Sequence, residues 1–236
     1  ISSLAKNIFG AEIQGVNQKE DLFRIIQVAH AEFKSILKTH KNIIIISPGV
    51  ERLSQENKWA LDQLVVQLNW KNDSQELLKE FIQLRQMFVQ KEVRLVQKSI
   101  SQLSQANVEK KLLQDFEVEY IIPREYEIIE QDDCFFWANY DPKKSDEIKN
   151  IFIFSFKPNN TNLQSQVLSK IDSVFAKYLI GAKEGSYARI EQDYPPYYFE
   201  STYRGLWKLE NGFMGGAFLA KTNFIKSKIV VSVGLV

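Results

Sequence analysis

Two alternating runs near the end of the chain meet at Asn211-Gly212, between Phe199 and Phe224. Asn-Gly suits a two-residue type I′ turn, because both central residues of that turn take positive φ. A hairpin centred there fixes its own register. Leu209 faces Met214, Trp207 faces Gly216, Gly205 faces Phe218, Tyr203 faces Ala220 and Phe199 faces Phe224. On this face each glycine lies opposite a large ring, and a ring laid over bare backbone shields it. On the other face Lys208 meets Gly215, where a bulge fits. A phosphate cradle would need a strand-to-helix junction after the glycines, and here more strand follows. A four-residue loop is expected to shift the register and break the glycine–ring pairing.

The rest of the chain mixes both periodicities. Lys41 to Ser47 (KNIIIIS) reads as a buried strand stopped by Pro48-Gly49. Leu61 to Trp70 alternates, with Leu64, Val66, Leu68 and Trp70 on one face. From an N-cap at Ser74, the stripe Leu77, Phe81, Leu84 and Phe88 predicts one long helix over about 75–104. Val96, Ile100 and Leu103 continue the stripe, and Lys91, Glu92 and Arg94 read as its solvated face. The stretches Phe116–Pro123, Tyr126–Gln131, Cys134–Tyr140, Lys149–Lys157 and Lys228–Val236 read as strands. Leu163, Val167, Ile171, Phe175 and Tyr178 predict a second helix over about 163–180, with Gly181 as its C-cap.

The expected class is α+β, an antiparallel or mixed sheet packed with those two helices in one domain over 1–236. KNIIIIS (41–47) and KNIFIFS (149–155) match closely. A duplicated unit with halves 1–110 and 111–236 would account for the match, and so would chance similarity of two Ile-rich strands.

Composition excludes several partners. Thirty basic residues balance twenty-nine acidic ones, so no electrostatic footprint for nucleic acid or an anionic membrane is present. One cysteine allows no internal disulfide and names no compartment. No apolar run reaches the ~18 residues of a membrane-spanning helix. The chain starts at Ile1, so a trimmed leader is compatible with it.

Catalytic patterns are sparse. His30 and His40 lack the spacing of a metal pair, and the nucleophile-elbow, phosphate-loop and zinc-protease motifs are absent. Cys134 reads as a buried strand residue whose neighbours Asp132 and Asp133 oppose thiolate formation. No catalytic residue, cofactor or metal is expected. Glu191, Asp193, Glu200 and Glu210 are the carboxylates nearest the aromatic tail, and a pair of them would be needed for an envelope hydrolase acting on glycan or peptide. The stretch Tyr194–Phe199 (YPPYYF) hints at binding. Tyr194, Tyr197 and Tyr198 offer flat faces to sugars or peptides if exposed; the other reading tucks the rings into the core. Arg204 could hold a ligand carboxylate, or pair with Glu200 or Glu191.

Arg204–Phe218 (RGLWKLENGFMGGAF) closely resembles the signature segment of a Bacteroidetes lipoprotein family known as domain of unknown function 4837. In it stand Gly205, Trp207, Asn211, Gly212, Gly215, Gly216 and Phe218, which we read as structural. Residues 15–23, Trp59–Gln63, 122–128, 135–137, 150–156 and 185–187 follow in matching order, so the resemblance spans nearly the whole chain. Departures are Asn17, Lys19 and Asp21 where prolines are usual, and Ala217 where Pro is usual. The resemblance implies a lipid-anchored envelope protein whose anchoring cysteine lies outside this chain. It supplies no catalytic residues. The implied role is a non-catalytic binding or assembly module, its partner an envelope protein or glycan.

Overall fold

The computed structural model describes residues 1–17, 20–143, 147–159 and 162–236. It is an α+β protein whose chain divides into two compact units, Ile1–Ile13 with Glu20–Ser99, and Gln14–Lys19 with Ile100–Val236.

In the first unit, α1 (Ser2–Phe9) precedes a small mixed sheet of β1 (Asn42–Ser47), β2 (Leu53–Glu56) and β3 (Leu64–Asn69), followed by α2 (Ser74–Ser101). The strand order is β1-β3-β2, with β1 parallel and β2 antiparallel to β3. Alternation aims Leu64, Val66 and Leu68 at the helices, where they meet Phe9, Leu77, Phe81, Leu84 and Phe88. Gly49 takes φ 71 in the turn after β1, as Pro48-Gly49 requires.

Three sequence expectations about α2 shift. The stripe does not continue buried past Phe88: Val96 is exposed, and Leu103 lies exposed beyond the helix end at Ser101. The N-cap of α2 is Asp73, not Ser74: Asp73 Oδ1 accepts the N–H groups of Gln75 and Glu76 at 2.8 and 3.2 Å. Lys91 is not solvated but donates to the carbonyls of Lys41 and Asp62 at 2.8 and 2.9 Å, and this burial lowers its pKa. Gln63 is a second brace. It is buried, its amide donates to the carbonyls of Lys38 and His40 at 2.6 and 2.7 Å, and its oxygen accepts from the Trp59 N–H at 2.9 Å.

The second unit holds α3 (Ala106–Phe116), β4 (Glu127–Gln131), β5 (Phe135–Tyr140), β6 (Lys149–Phe156), α4 (Leu163–Tyr178), β7 (Tyr187–Ile190), β8 (Tyr197–Phe199), β9 (Thr202–Glu210), β10 (Gly215–Ile225) and β11 (Lys228–Leu235). One antiparallel sheet runs β4-β5-β6-β11-β10-β9-β7, and β8 also pairs with β9. α4 covers one face through Val167, Ile171 and Phe175, against rings that include Phe152, Trp207 and Phe218. α3 covers part of the other face through Leu112 and Phe116, against Phe136, Ala138, Ile153 and Val230.

The strand expected at Phe116–Pro123 does not form: Phe116 ends α3, and the residues after it run without regular structure until Pro123 bridges to Ser104. Val108, Leu112 and Phe116 recur every four residues and bury a helical stripe. Glu117 then turns left-handed, φ 58, and ends the helix. α4 stops at Tyr178, and Gly181 is not its left-handed cap. Instead Gly181 sits against Ser186 Oγ and Leu209 Cδ2, which leave no room for a side chain. The echoing strands KNIIIIS and KNIFIFS are β1 and β6; β1 has one parallel neighbour, and β6 lies between two antiparallel ones.

Candidate functional site

The C-terminal hairpin keeps the register that centring on Asn211-Gly212 gives. Trp207 pairs with Gly216, Gly205 with Phe218, Lys208 with Gly215 and Tyr203 with Ala220. The loop itself is different. Leu209 N–H donates to the Met214 carbonyl at 2.8 Å, and Gly212 N–H to the Leu209 carbonyl at 3.2 Å. Asn211 has φ 57, while Gly212 is not in the left-handed region. The connection is therefore the four residues 210–213, and no type I′ turn forms there. The register survives because two- and four-residue loops centred on one peptide bond oppose the same residues. They differ only in which pairs exchange hydrogen bonds.

The glycines make room for two covers. A Cβ on Gly205 would lie 2.7 Å from the Phe218 ring and 3.0 Å from Pro196. Over Gly216 lies the Val236 carbonyl, which accepts from Trp207 Nε1 at 2.8 Å.

The type I′ signature, two successive residues of positive φ, occurs one hairpin earlier. Glu200 and Ser201 have φ 46 and 64, between β8 and β9. The single strand expected from Phe199 onward is therefore two strands. Phe199 pairs with Thr202, not Phe224, Tyr198 with Tyr203, and Tyr197 with Arg204. Thr222 holds this turn by donating its N–H and hydroxyl to the Ser201 carbonyl at 2.9 and 3.2 Å.

The result is an exposed aromatic arm. Pro196 is pinned on Gly205, and Tyr194, Tyr197, Tyr198 and Phe199 are all exposed. Tyr198 lies over buried Tyr203, ring centroids 4.8 Å apart. Directly opposed residues of antiparallel strands share a face. Tyr197, Arg204 and Leu219 therefore stand in one row, and Phe199, Thr202 and Lys221 in the next. Both rows project on the face away from Tyr203. Two rings and two cations thus share one face, on which Tyr197, Phe199 and Lys221 are exposed and Arg204 is half-buried against Gly15.

Among the described residues, Arg204 is not paired with a carboxylate. Its Nη1 reaches the Gln14 carbonyl at 3.5 Å, while Gly15, at φ 89, lies against the Arg204 backbone. Arg204 and Lys221 make no ion pair among the described residues. The carboxylates expected near them are engaged or scattered. Glu191 pairs with Lys208 at 3.1 Å; Glu210 approaches the same lysine at 4.0 Å and Arg189 at 3.6 Å. The Asp193 N–H, followed by Lys208, holds the Glu191 carboxyl below its usual range, the opposite of what a general acid needs. Asp193 and Glu200 are exposed on loops.

Cys134 is exposed in the turn before β5, not buried in a strand. Its side chain and those of Asp132 and Asp133 bring donor atoms within 4.8 Å of one another. Asp132 Oδ1 is already used by the turn, accepting from the Cys134 and Phe135 N–H groups at 2.8 and 2.6 Å. Sequence reasoning missed the Glu200-Ser201 turn and the presence of Lys221 in the arm; neither residue type signals its role.

Among known families, residues 105–235 match the model described as a domain of unknown function (DUF4837), and residues 3–101 match one described as a domain of unknown function (DUF8532). The segments 15–23 and 59–63, which the resemblance had assigned to the first family, thus fall within the second match. No curated protein and no solved structure matches the chain.

Proposed function

We propose, for this chain that belongs to the family described as a domain of unknown function (DUF4837), the role of a non-catalytic binding module of the cell envelope, tethered by lipid in its full form. The observation that supports it is the sheet face shared by exposed Tyr197, Phe199 and Lys221 and half-buried Arg204. Exposed Tyr and Phe rings stack on the C–H faces of sugars, and a guanidinium without a carboxylate partner binds one supplied by a ligand. The ligand class that fits is an anionic envelope glycan carrying carboxylates. The turn that presents the arm is strained at Glu200 and Ser201, and such strain is retained where a loop is positioned for use.

Binding is tested with acidic oligosaccharides such as oligogalacturonate, neutral oligosaccharides of equal length, and a poly-glutamate peptide. The acidic sugar should bind, and Tyr197→Ser with Phe199→Ser should weaken it at least tenfold, with Lys221→Gln costing several-fold. Equal retention of the neutral sugar, or binding unaffected by the ring substitutions, rejects the arm as the site. Tighter binding of poly-glutamate rejects the glycan. The envelope reading is tested by fractionating cells that express the full-length gene product: release from membranes only by detergent supports the anchor, and recovery in the soluble fraction rejects it.

A further inference from the structure

In the first unit a cleft of about 340 Å³ opens beside the start of α2, where β3 ends and the segment entering β2 begins. Its volume lies within the range of sites that bury a small group. The floor is apolar, formed by Leu68, Trp70 and Leu77. The rim carries four carboxylates, Glu51, Asp73, Glu76 and Glu80, against two cations, Arg52 and Lys71.

The carboxylates are not equally satisfied. Glu80 pairs with Arg52 at 2.9 Å and Glu76 with Lys71 at 2.7 Å. Asp73 caps α2. Glu51 has no ion-pair partner among the described residues. An acidic excess over an apolar floor selects a cation carried on an apolar stem.

A second feature says what carries that cation. β2 pairs with β3 along one edge and has no other strand partner among the described residues, and all four of its residues are exposed. Arg52 at the cleft directly precedes β2. A strand added to the free edge of β2 therefore runs past the mouth of the cleft.

We propose that this cleft takes the side chain of a lysine or arginine from a polypeptide that adds as a strand to the free edge of β2. Lys71 stands in for that side chain within the chain itself, its ammonium already on Glu76. Both members of the pair are about half exposed, so an incoming cation displaces Lys71 at little cost. The site is separate from the aromatic arm of the second unit and does not depend on it.

The test titrates the whole chain with a blocked peptide Thr-Val-Lys-Val-Thr, its counterpart with Glu for Lys, and n-butylamine. Binding is read from backbone amide shifts and tryptophan fluorescence. The lysine peptide should shift amides of residues 50–56 and bind at least tenfold more tightly than either control. Glu51→Gln and Glu76→Gln should each weaken it several-fold. Lys71→Gln should tighten it, while Lys111→Gln, an equal charge change in the other unit, should leave it unmoved. Shifts confined to other residues, equal binding of the glutamate peptide, or Lys111→Gln acting like Lys71→Gln overturns the proposal. Butylamine binding as tightly as the peptide overturns strand addition.

Discussion

The indole Nε1 of Trp207 donates to the Val236 carbonyl at 2.8 Å across the bare backbone of Gly216. A Cβ at 216 would collide with that carbonyl and come within 3.1 Å of the indole nitrogen. The need for glycine here is contact, since Gly216 has no positive φ. Gly216→Ala should therefore destabilise the protein by about 1–3 kcal/mol in urea unfolding, the usual cost of overpacking. Gly234→Ala, in β11 with open space around the new methyl, should change stability by no more than about 0.5 kcal/mol. Similar losses at both sites would refute the contact explanation.

A second prediction concerns the arm. Glu200 and Ser201 both occupy the left-handed region, φ 46 and 64, which disfavours residues with a Cβ. Asn-Gly is the preferred pair for such a turn. Replacing Glu200 by Asn and Ser201 by Gly should raise stability by about 0.5–1 kcal/mol, part of the gain being offset by the greater unfolded-state freedom of glycine. The Ser201 carbonyl keeps its bonds from Thr222, so the arm should keep its place. A drop in the thermal midpoint would refute the turn assignment.

These two turns show what was legible in the sequence. Alternation and a centre of symmetry suffice to fix facing residues, so the pairs Trp207–Gly216 and Gly205–Phe218 could be read directly. Turn geometry is decided by which opposed pairs exchange hydrogen bonds, and alternation carries no trace of that. The I′ turn thus went to Glu200-Ser201, which lacks the residues that announce one. α3 was hidden for another reason. Its stripe Val108, Leu112 and Phe116 ends on the residue that opens an alternating run, and the final ring was counted with the wrong period. The rings of 194–199 fit either core or surface by composition. Only the pinning of Pro196 on Gly205 and the turn after Phe199 turn them outward. Lys221 and Arg204 lie far apart in sequence and share a face only through the register of β9 with β10.

A third prediction follows from Tyr203. Burial, followed by the neighbouring Tyr198, pushes its hydroxyl up to about 12 from an ordinary value near 10. The folded state keeps this proton where the unfolded chain has lost it. Stability from Tyr203 is complete below about pH 10 and declines as pH rises through about 12. In spectrophotometric titration Tyr203 should ionise after the exposed tyrosines, with Tyr120 and Tyr126 also delayed by burial. Tyr203→Phe should shrink the late phase by one tyrosine and flatten the alkaline limb of the stability curve. A late phase of unchanged amplitude in the variant would assign the step elsewhere.

The last prediction separates exposure from reactivity at Cys134. The thiol is exposed, yet partial burial and then the Asp132 carboxylate, helped by Asp133, raise its pKa. Alkylation proceeds through the thiolate, so accessibility alone does not make this cysteine fast. At pH 8 iodoacetamide should modify Cys134 more slowly than it modifies free glutathione. Asp133→Asn removes a nearby charge without touching the oxygen of Asp132 that holds the Cys134 and Phe135 N–H groups. That variant should react faster, with the midpoint of its pH–rate curve moved down. Asp132→Asn should move the midpoint further, because its hydrogen bond to the thiol and its charge both outweigh those of Asp133. Rates that matched glutathione in the parent protein, or that ignored both substitutions, would show that the two aspartates do not govern the thiol.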